Sequence, residues 1–238
     1  MTELQFPPRH LNSLQARLKE LGPVAVAVSG GVDSMTLAYV AHRANPLSQT
    51  FHALSAAVPV SATERVKRYA ELEGWNLTII DAGEMQDPSY LNNPVDRCYY
   101  CKSCLYDTIA KQTELLIVSG TNLDDLSDYR PGLKAASEHQ VRHPYVDSEI
   151  DKQSVRAIAN HLGLDDLADL PAAPCLSSRI TTGISIDDRV LPVVDEVERK
   201  VWKIMQGVLP IKGVRPVNGV LKWFLDAEAC AASATPPE

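Results

Sequence analysis

The feature that most constrains this chain is an unbroken apolar run at residues 24–28, Val-Ala-Val-Ala-Val, that passes directly into Ser-Gly-Gly-Val-Asp-Ser at 29–34. A short valine-rich run of this kind suits a strand buried on both faces, as in a parallel sheet. Gly30 and Gly31 let the backbone turn sharply and approach an anion closely. Residues 35–43 read as a helix, so the loop joins strand to helix. Successive loop N–H groups and the helix N-terminus then favour negative charge. Ser29 and Ser34 add hydroxyl donors. Asp33 is out of place in a bare anion site and makes sense where a divalent cation lies between it and phosphate, so magnesium is expected. The Gly-Lys-Ser/Thr ending of the Walker loop is absent. The plain alternative is a glycine turn with no ligand.

The rest of the chain alternates in the same way. A helix over 11–21 carries Leu11, Leu14, Leu18 and Leu21 on one stripe, and Pro23 stops it. A strand is expected over 51–58, a helix over 62–73 ended by Gly74, and a strand over 77–80. Residues 83–97 read as a loop, 98–111 as a helix and 115–118 as a fourth strand. A helix follows over 150–162, with Asp151 as N-cap and Gly163 as stop. Residues 170–178 read as non-helical and 190–205 as a long amphipathic helix. Residues 211–217 and 220–225 suit a hairpin across Asn218-Gly219, and the tail from 231 reads as frayed. Strands alternating with helices predict an α/β, doubly wound, mostly parallel sheet over 1–180, with a small α+β appendage over 181–238.

Composition narrows the function. The 238 residues are ordinary in hydrophobic (45%) and charged (22%) content, which supports one sizeable core. No apolar run of about 18 residues exists to span a membrane, and the first residues lack a basic stretch followed by an apolar one, so a cytoplasmic protein is expected. Net charge is −7 and the basic residues are dispersed, which disfavours nucleic acid as a partner. Of the five cysteines, Cys98, Cys101 and Cys104 form a tight run, with Cys175 and Cys230 elsewhere. Such clustering favours metal or redox chemistry over disulfides.

The 29–34 string resembles the PP-loop of the ATP pyrophosphatase superfamily. Together with NPVDRCYYCK (93–102), GTNLDDLSDYRPG (120–132) and PCLSSRI (174–180), it resembles the LarE family of ATP-dependent sulfur transferases. The likeness runs from about residue 23 to about 185. It implies cleavage of ATP between the α and β phosphates, adenylation of a substrate carboxylate, and sulfur insertion giving a thiocarboxylate in nickel-pincer nucleotide synthesis. The implied substrate is a carboxylated pyridinium nucleotide, and a homo-oligomer is implied as well. By the same resemblance Ser29, Gly30, Gly31, Val32, Asp33, Ser34, Ala53, Gly120 and Asp125 would bind ATP. Arg97, Asp128, Arg130, Ser178 and Arg215 would contact substrate. Cys175 would attack the activated acyl group as a thiolate. In the family's sacrificial members the matching cysteine gives up its sulfur and becomes dehydroalanine. Arg179 suits a bidentate contact with phosphate or carboxylate. Asp33 and Arg179 complete the catalytic set.

Some members of that family carry a 4Fe-4S cluster on three cysteines, matching Cys98, Cys101 and Cys175 here. Cys104 leaves a purely local Cys98-Cys101-Cys104 site open, and zinc with a fourth ligand from elsewhere as well. The family's basic Arg-x-Arg-His-His stretch is missing. The nearest string, at 213–219, retains only Arg215, which leaves Lys212 or Arg179 for a substrate phosphate. Glu196 and Glu198 fall on a helix face expected to be solvated. Two rival activities share the loop: an amide synthetase using ammonia and a tRNA thiolase.

Overall fold

The computed structural model describes residues 9–127 and 129–208. The first half contains α1 (Arg9–Leu21), β1 (Val24–Ala27), α2 (Val32–Ala44), β2 (Gln49–Ala53), α3 (Val60–Glu73) and β3 (Asn76–Ile80). Then come α4 (Pro88–Leu91), α5 (Arg97–Ala110), β4 (Leu116–Ser119), α6 (Pro131–Glu138), α7 (Pro144–Asp147), α8 (Lys152–His161), α9 (Asp165–Ala168) and α10 (Leu191–Val208). Four parallel strands pair in the order β3-β2-β1-β4. The chain therefore runs outward from β1 to β3 and then crosses back to place β4 on the other side of β1. Ligands of open α/β sheets bind at such a reversal, beyond the carboxyl ends of the strands.

The strand period of two explains how β1 holds the molecule together. Val24, Val26 and Val28 point into a core built with α1, α2, α3, α8 and α9. Ala25 and Ala27 point into the opposite core, with Tyr106 and Ile109 of α5 and Ala136 of α6. Each large side chain sealed here, such as Leu14, Leu18 and Ile158, contributes about 1.5–3 kcal/mol relative to exposure. A third, smaller cluster joins Ala57, Tyr90, Leu176, Ile186 and Leu191, and it packs the segment after Cys175 onto α4 and α10.

The α/β expectation holds, as does Asp151 as a cap: its carboxylate accepts from the Ser154 N–H at 2.7 Å, and Gly163 takes φ +73°. Local turn chemistry changes other boundaries. The strand expected over 51–58 stops at Ala53, because the Ser55 hydroxyl and carbonyl accept from the Ala57 and Val58 amides and start a turn into α3. Inside the expected 83–97 loop, Asp87 accepts from the Ser89 N–H and Pro88 opens α4. Pro131, at the end of the 120–132 string, opens α6. Within 170–178, expected to be non-helical, a 3-10 turn begins at Leu176 and runs to Arg179. The proposed hairpin over 211–225 lies outside the described residues.

Two glycines mark where backbones nearly touch. Gly30 has φ +83°, and a Cβ there would lie 2.8 Å from the Ala62 carbonyl of α3. A Cβ on Gly120 would lie 2.8 Å from the Ser34 amide and 2.9 Å from the Asp33 carbonyl carbon. Gly120→Ala is therefore expected to push the segment after β4 away from α2 and lower stability by about 1–3 kcal/mol, measured by urea unfolding.

Candidate active site

The 29–34 loop sits at the carboxyl end of β1, against the β4 side of the reversal. Its cap residue, Gly31, is extended and offers no side-chain acceptor to the first-turn amides of α2. Those amides are the orphan donors that an anion satisfies. Serine hydroxyls hold the loop shape: Ser34 Oγ accepts from the Ser29 N–H at 3.1 Å, lies 3.1 Å from Ser29 Oγ, and reaches the Gly31 carbonyl at 3.2 Å.

Asp33, the expected magnesium ligand, is held by partners within the protein. One carboxylate oxygen accepts from Asn122 Nδ2 at 3.2 Å, and the other pairs with Lys152 Nζ at the start of α8. Tyr145, fully buried, donates to the Asp33 carbonyl at 2.9 Å. The side chain is thus neutralised by an internal cation and does not line the cavity described next. It ties α2 to α8 through Lys152.

Ser29, Gly30 and Gly31 form one end of a cavity of about 660 Å³, with Ala53, Cys98, Cys101 and Cys175 on its other walls. His52 braces the loop end. Its Nδ1 lies 2.8 Å from the Val28 carbonyl, which can only accept, so that nitrogen carries the proton and Nε2 accepts from Thr63 Oγ1 at 2.9 Å. Burial lowers the His52 pKa and keeps the ring neutral.

The cysteine wall is built by two opposed pieces. Cys98 and Cys101 stand one turn apart on α5, while Cys104, a further three residues on, has rotated about 120° from Cys98. Cys104 does not line the cavity, and its thiol points to Asp87 Oδ2 at 4.0 Å. Of the three α5 cysteines, Cys98 and Cys101 line the cavity. Cys175 is exposed on the facing segment and carries no disulfide. Burial pushes the Cys101 thiol up to about 12, and it raises Cys98 too, the nearby Cys175 adding to both. Lys102 opposes these shifts by favouring the thiolates, and its ammonium lies 5.8 Å from the Tyr106 ring centroid. As placed, the described residues contain no group of three His, Cys, Asp or Glu donors able to hold a metal ion.

Arg179 lines the cavity and is held there by partners within the protein. It grips both Glu198 oxygens, at 2.8 and 3.0 Å, and Nη1 donates to the Pro174 carbonyl at 2.8 Å, the Cys175 carbonyl at 3.3 Å and Ser178 Oγ at 2.9 Å. Glu198 is accordingly mostly buried and not a solvated face residue, whereas Glu196 pairs with Lys200 on the exposed side. Ser178 donates back to the Cys175 carbonyl at 2.8 Å. The backbone around Cys175 is further tied by the Leu176 N–H to the Ala57 carbonyl at 2.8 Å and by Tyr90 to Ser177 at 2.6 Å. Arg179 and Ser178 thus hold the backbone around Cys175.

Arg97 lines the cavity as expected for a substrate contact, braced by Asn93 Oδ1 at 3.2 Å. Asn93, buried at φ +50°, spends its amide on the Thr181 and Ile184 carbonyls at 3.0 Å and the Ile180 carbonyl at 3.3 Å. Asp125 closes a capping box with Asn122 and pairs with Arg130 at 2.8 Å. Asp125, Arg130 and Gly120 lie off the cavity wall, Gly120 acting by close approach to α2. Asp128, Lys212, Arg215 and Cys230 lie outside the described residues. Sequence reasoning passed over His52, Arg65, Glu84, Lys102 and Lys152. The first four line the cavity but come from separate elements, and Lys152 meets Asp33 across 119 residues. Only the first turn of α8, capped by Asp151, hinted that Lys152 had a fixed place.

No protein-family model matches the chain. It is 38% identical over 195 residues to the uncharacterized protein slr1717 of Synechocystis sp., covering 79% of this chain and 72% of that one. The chain belongs to the slr1717 family. It is also 26% identical over 214 residues to the uncharacterized protein MJ0830 of Methanocaldococcus jannaschii, covering 84% and 77%. A homologue with a named activity is the pyridinium-3,5-bisthiocarboxylic acid mononucleotide synthase of Lactiplantibacillus plantarum, 32% identical over 182 residues, covering 73% of this chain and 65% of that enzyme. No helix among the described residues is long and apolar enough to cross a membrane.

The thiol environments of this slr1717 relative give a direct test. With its pKa pushed up to about 12, Cys101 holds only about one part in ten thousand as thiolate at pH 8. Iodoacetamide at pH 8, followed by peptide mapping, is expected to label exposed Cys175 well before Cys101, and Cys101 labelling should accelerate as pH rises toward 10.

Proposed function

We propose that this chain is an ATP-dependent sulfur transferase that converts a carboxylate of a pyridinium nucleotide to a thiocarboxylate, in the synthesis of a nickel-pincer nucleotide. The observation that carries this reading is that an anion-binding loop and an exposed cysteine, Cys175, form walls of one cavity. The printed name of the Lactiplantibacillus homologue, a bisthiocarboxylic acid mononucleotide synthase, supports the same chemistry.

In this reading ATP enters with magnesium as part of the substrate, its phosphates on the 29–34 loop and its adenine near Ala53. A substrate carboxylate oxygen attacks the α phosphorus, and the bond to the β phosphate breaks, releasing pyrophosphate. Cys175, having lost its proton, attacks the acyl carbon and AMP leaves. A base then takes the Cys175 Cα proton. The Cβ–S bond breaks, its electron pair goes to sulfur, and dehydroalanine remains in the chain. Arg179 and Ser178 hold the Cys175 backbone throughout. Arg97, on the cavity wall, receives a substrate anion.

Replacing Cys175 with Ala is expected to abolish thiocarboxylate formation while ATP-dependent pyrophosphate exchange with the carboxylate substrate survives. Wild-type protein should lose the elements of hydrogen sulfide from its intact mass after one turnover. An amide product from ammonia that survives in Cys175→Ala would instead place the chain with the amide synthetases.

One observation favours a second sulfur source. Cys98, Cys101 and Cys175 share the cavity, and each of the two α5 thiols feels the charge of Cys175. An all-thiol donor set is the kind that iron–sulfur clusters use, and a 4Fe-4S cluster held by these three would supply sulfide in place of the Cys175 sulfur. Iron and acid-labile sulfide in protein purified without oxygen test this directly. Their presence in cluster proportion, with Cys175 intact after turnover, selects the cluster. Metal-free protein after attempted reconstitution selects the sacrificial route.

A further inference from the structure

Helix α3 is built against the phosphate loop more tightly than a covering helix requires. Ala62 leaves no room for a side chain on Gly30, with its carbonyl 2.8 Å from where a Cβ would stand. On the next position Thr63 closes the His52 bridge to the Val28 carbonyl. One turn on from Ala62, Arg65 donates from Nη1 to the Gly30 carbonyl at 2.7 Å. Three contacts thus fix the Arg65 guanidinium beside the loop whose backbone faces the cavity.

A guanidinium carries five N–H donors, and this contact accounts for one protein acceptor. Among the described residues Arg65 has no carboxylate within ion-pairing distance. Asp166, the nearest helpful anion, is taken by Arg68 and Tyr69. Of the other arginines of the cavity wall, Arg179 is paired with Glu198 and Arg199 with Asp195 at 3.2 Å, while Arg97 reaches only the neutral Asn93 amide oxygen and stands on the cysteine side. Burial lowers the Arg65 pKa, the sign of a cation held out of water without full compensation. A half-buried arginine costs free energy to keep in this state unless an anion completes it.

We propose that Arg65 binds the terminal phosphates of the nucleotide and the pyrophosphate they become. This rests on the nucleotide reading above and assigns a residue to it. The guanidinium lies against the end of the cavity formed by Ser29, Gly30 and Gly31, so an anion seated on the loop amides meets it directly. Its planar fork matches two phosphate oxygens. When the α–β bond breaks, negative charge grows on the leaving pyrophosphate, and a fixed cation there favours departure.

The tests are calorimetric titrations of wild type, Arg65→Gln and Arg65→Lys with magnesium-ATP, magnesium-pyrophosphate and AMP. Gln retains a donor for the Gly30 carbonyl without the charge, and Lys retains the charge without the fork. Loss of a charge-assisted phosphate contact is expected to weaken ATP and pyrophosphate binding by about ten- to a hundredfold in Arg65→Gln. AMP affinity should stay within about twofold, and Lys should recover part of the loss. Thermal unfolding of each variant shows whether α3 stays docked, and any variant that unfolds is replaced by the other in the comparison. Equal losses for AMP and ATP, or undiminished pyrophosphate binding in Arg65→Gln, would mean that Arg65 only tethers Gly30, and the proposal fails. Wild type that binds neither ATP nor pyrophosphate overturns the nucleotide reading itself and this assignment with it.

Discussion

The structure depends on backbones brought too close together for side chains. The phosphate loop is held from one side by α3, whose Ala62 carbonyl occupies the space a Gly30 Cβ would need. From the other side, the segment leaving β4 fills the space beside Ser34 through Gly120. The loop therefore cannot open without undocking a helix or a strand. The Ser34 hydroxyl, bonded to the Ser29 amide and the Gly31 carbonyl, braces it from within. Preorganised dipoles of this kind are worth more than the same groups free in water, because they need not reorient as charge develops.

Charge is arranged around that loop with the same economy. Asp33 would repel a polyphosphate, but Lys152 and Asn122 draw it to the side away from the cavity and turn it into a tie between α2 and α8. Arg65, on the opposite flank, keeps a cation at the mouth of the loop. A net acidic protein thus presents locally positive character where phosphate would sit. Dispersed basic residues in the sequence do not reveal this, because the sign of a site follows from which charges face it.

The opposite wall solves a different problem, holding a thiol exposed yet still. Cys175 lies in a segment with little regular structure, and four kinds of contact fix it. They are the amide of Leu176 on Ala57, the Tyr90–Ser177 hydroxyl pair, the Asn93 side chain on three carbonyls, and the Arg179 fork on Glu198. Breaking the Arg179–Glu198 pair would leave a largely buried charge unpaired, so α10 and the Cys175 segment move as one piece. Across the cavity, Cys101 is sealed deeper and kept protonated, so it differs in reactivity from exposed Cys175.

The sequence by itself determined the local elements of this protein. The Val-Ala alternation of β1, the glycines of the loop, the Asp151 cap and the leucine stripe of α1 follow from periodicity and capping, which act over a few residues. Ala53 was placed near the loop only by family resemblance, and both line one cavity. Tertiary structure decided the roles of the charged side chains. Arg179 and Asp125 read as ligand contacts and also make ion pairs within the protein, Glu198 read as solvated and is mostly covered against Arg179, and Arg65 and Lys152 were silent. The reason is physical: a charged group's function is set by its nearest opposite charge and its depth from water, and both come from segments tens to more than a hundred residues away in the chain.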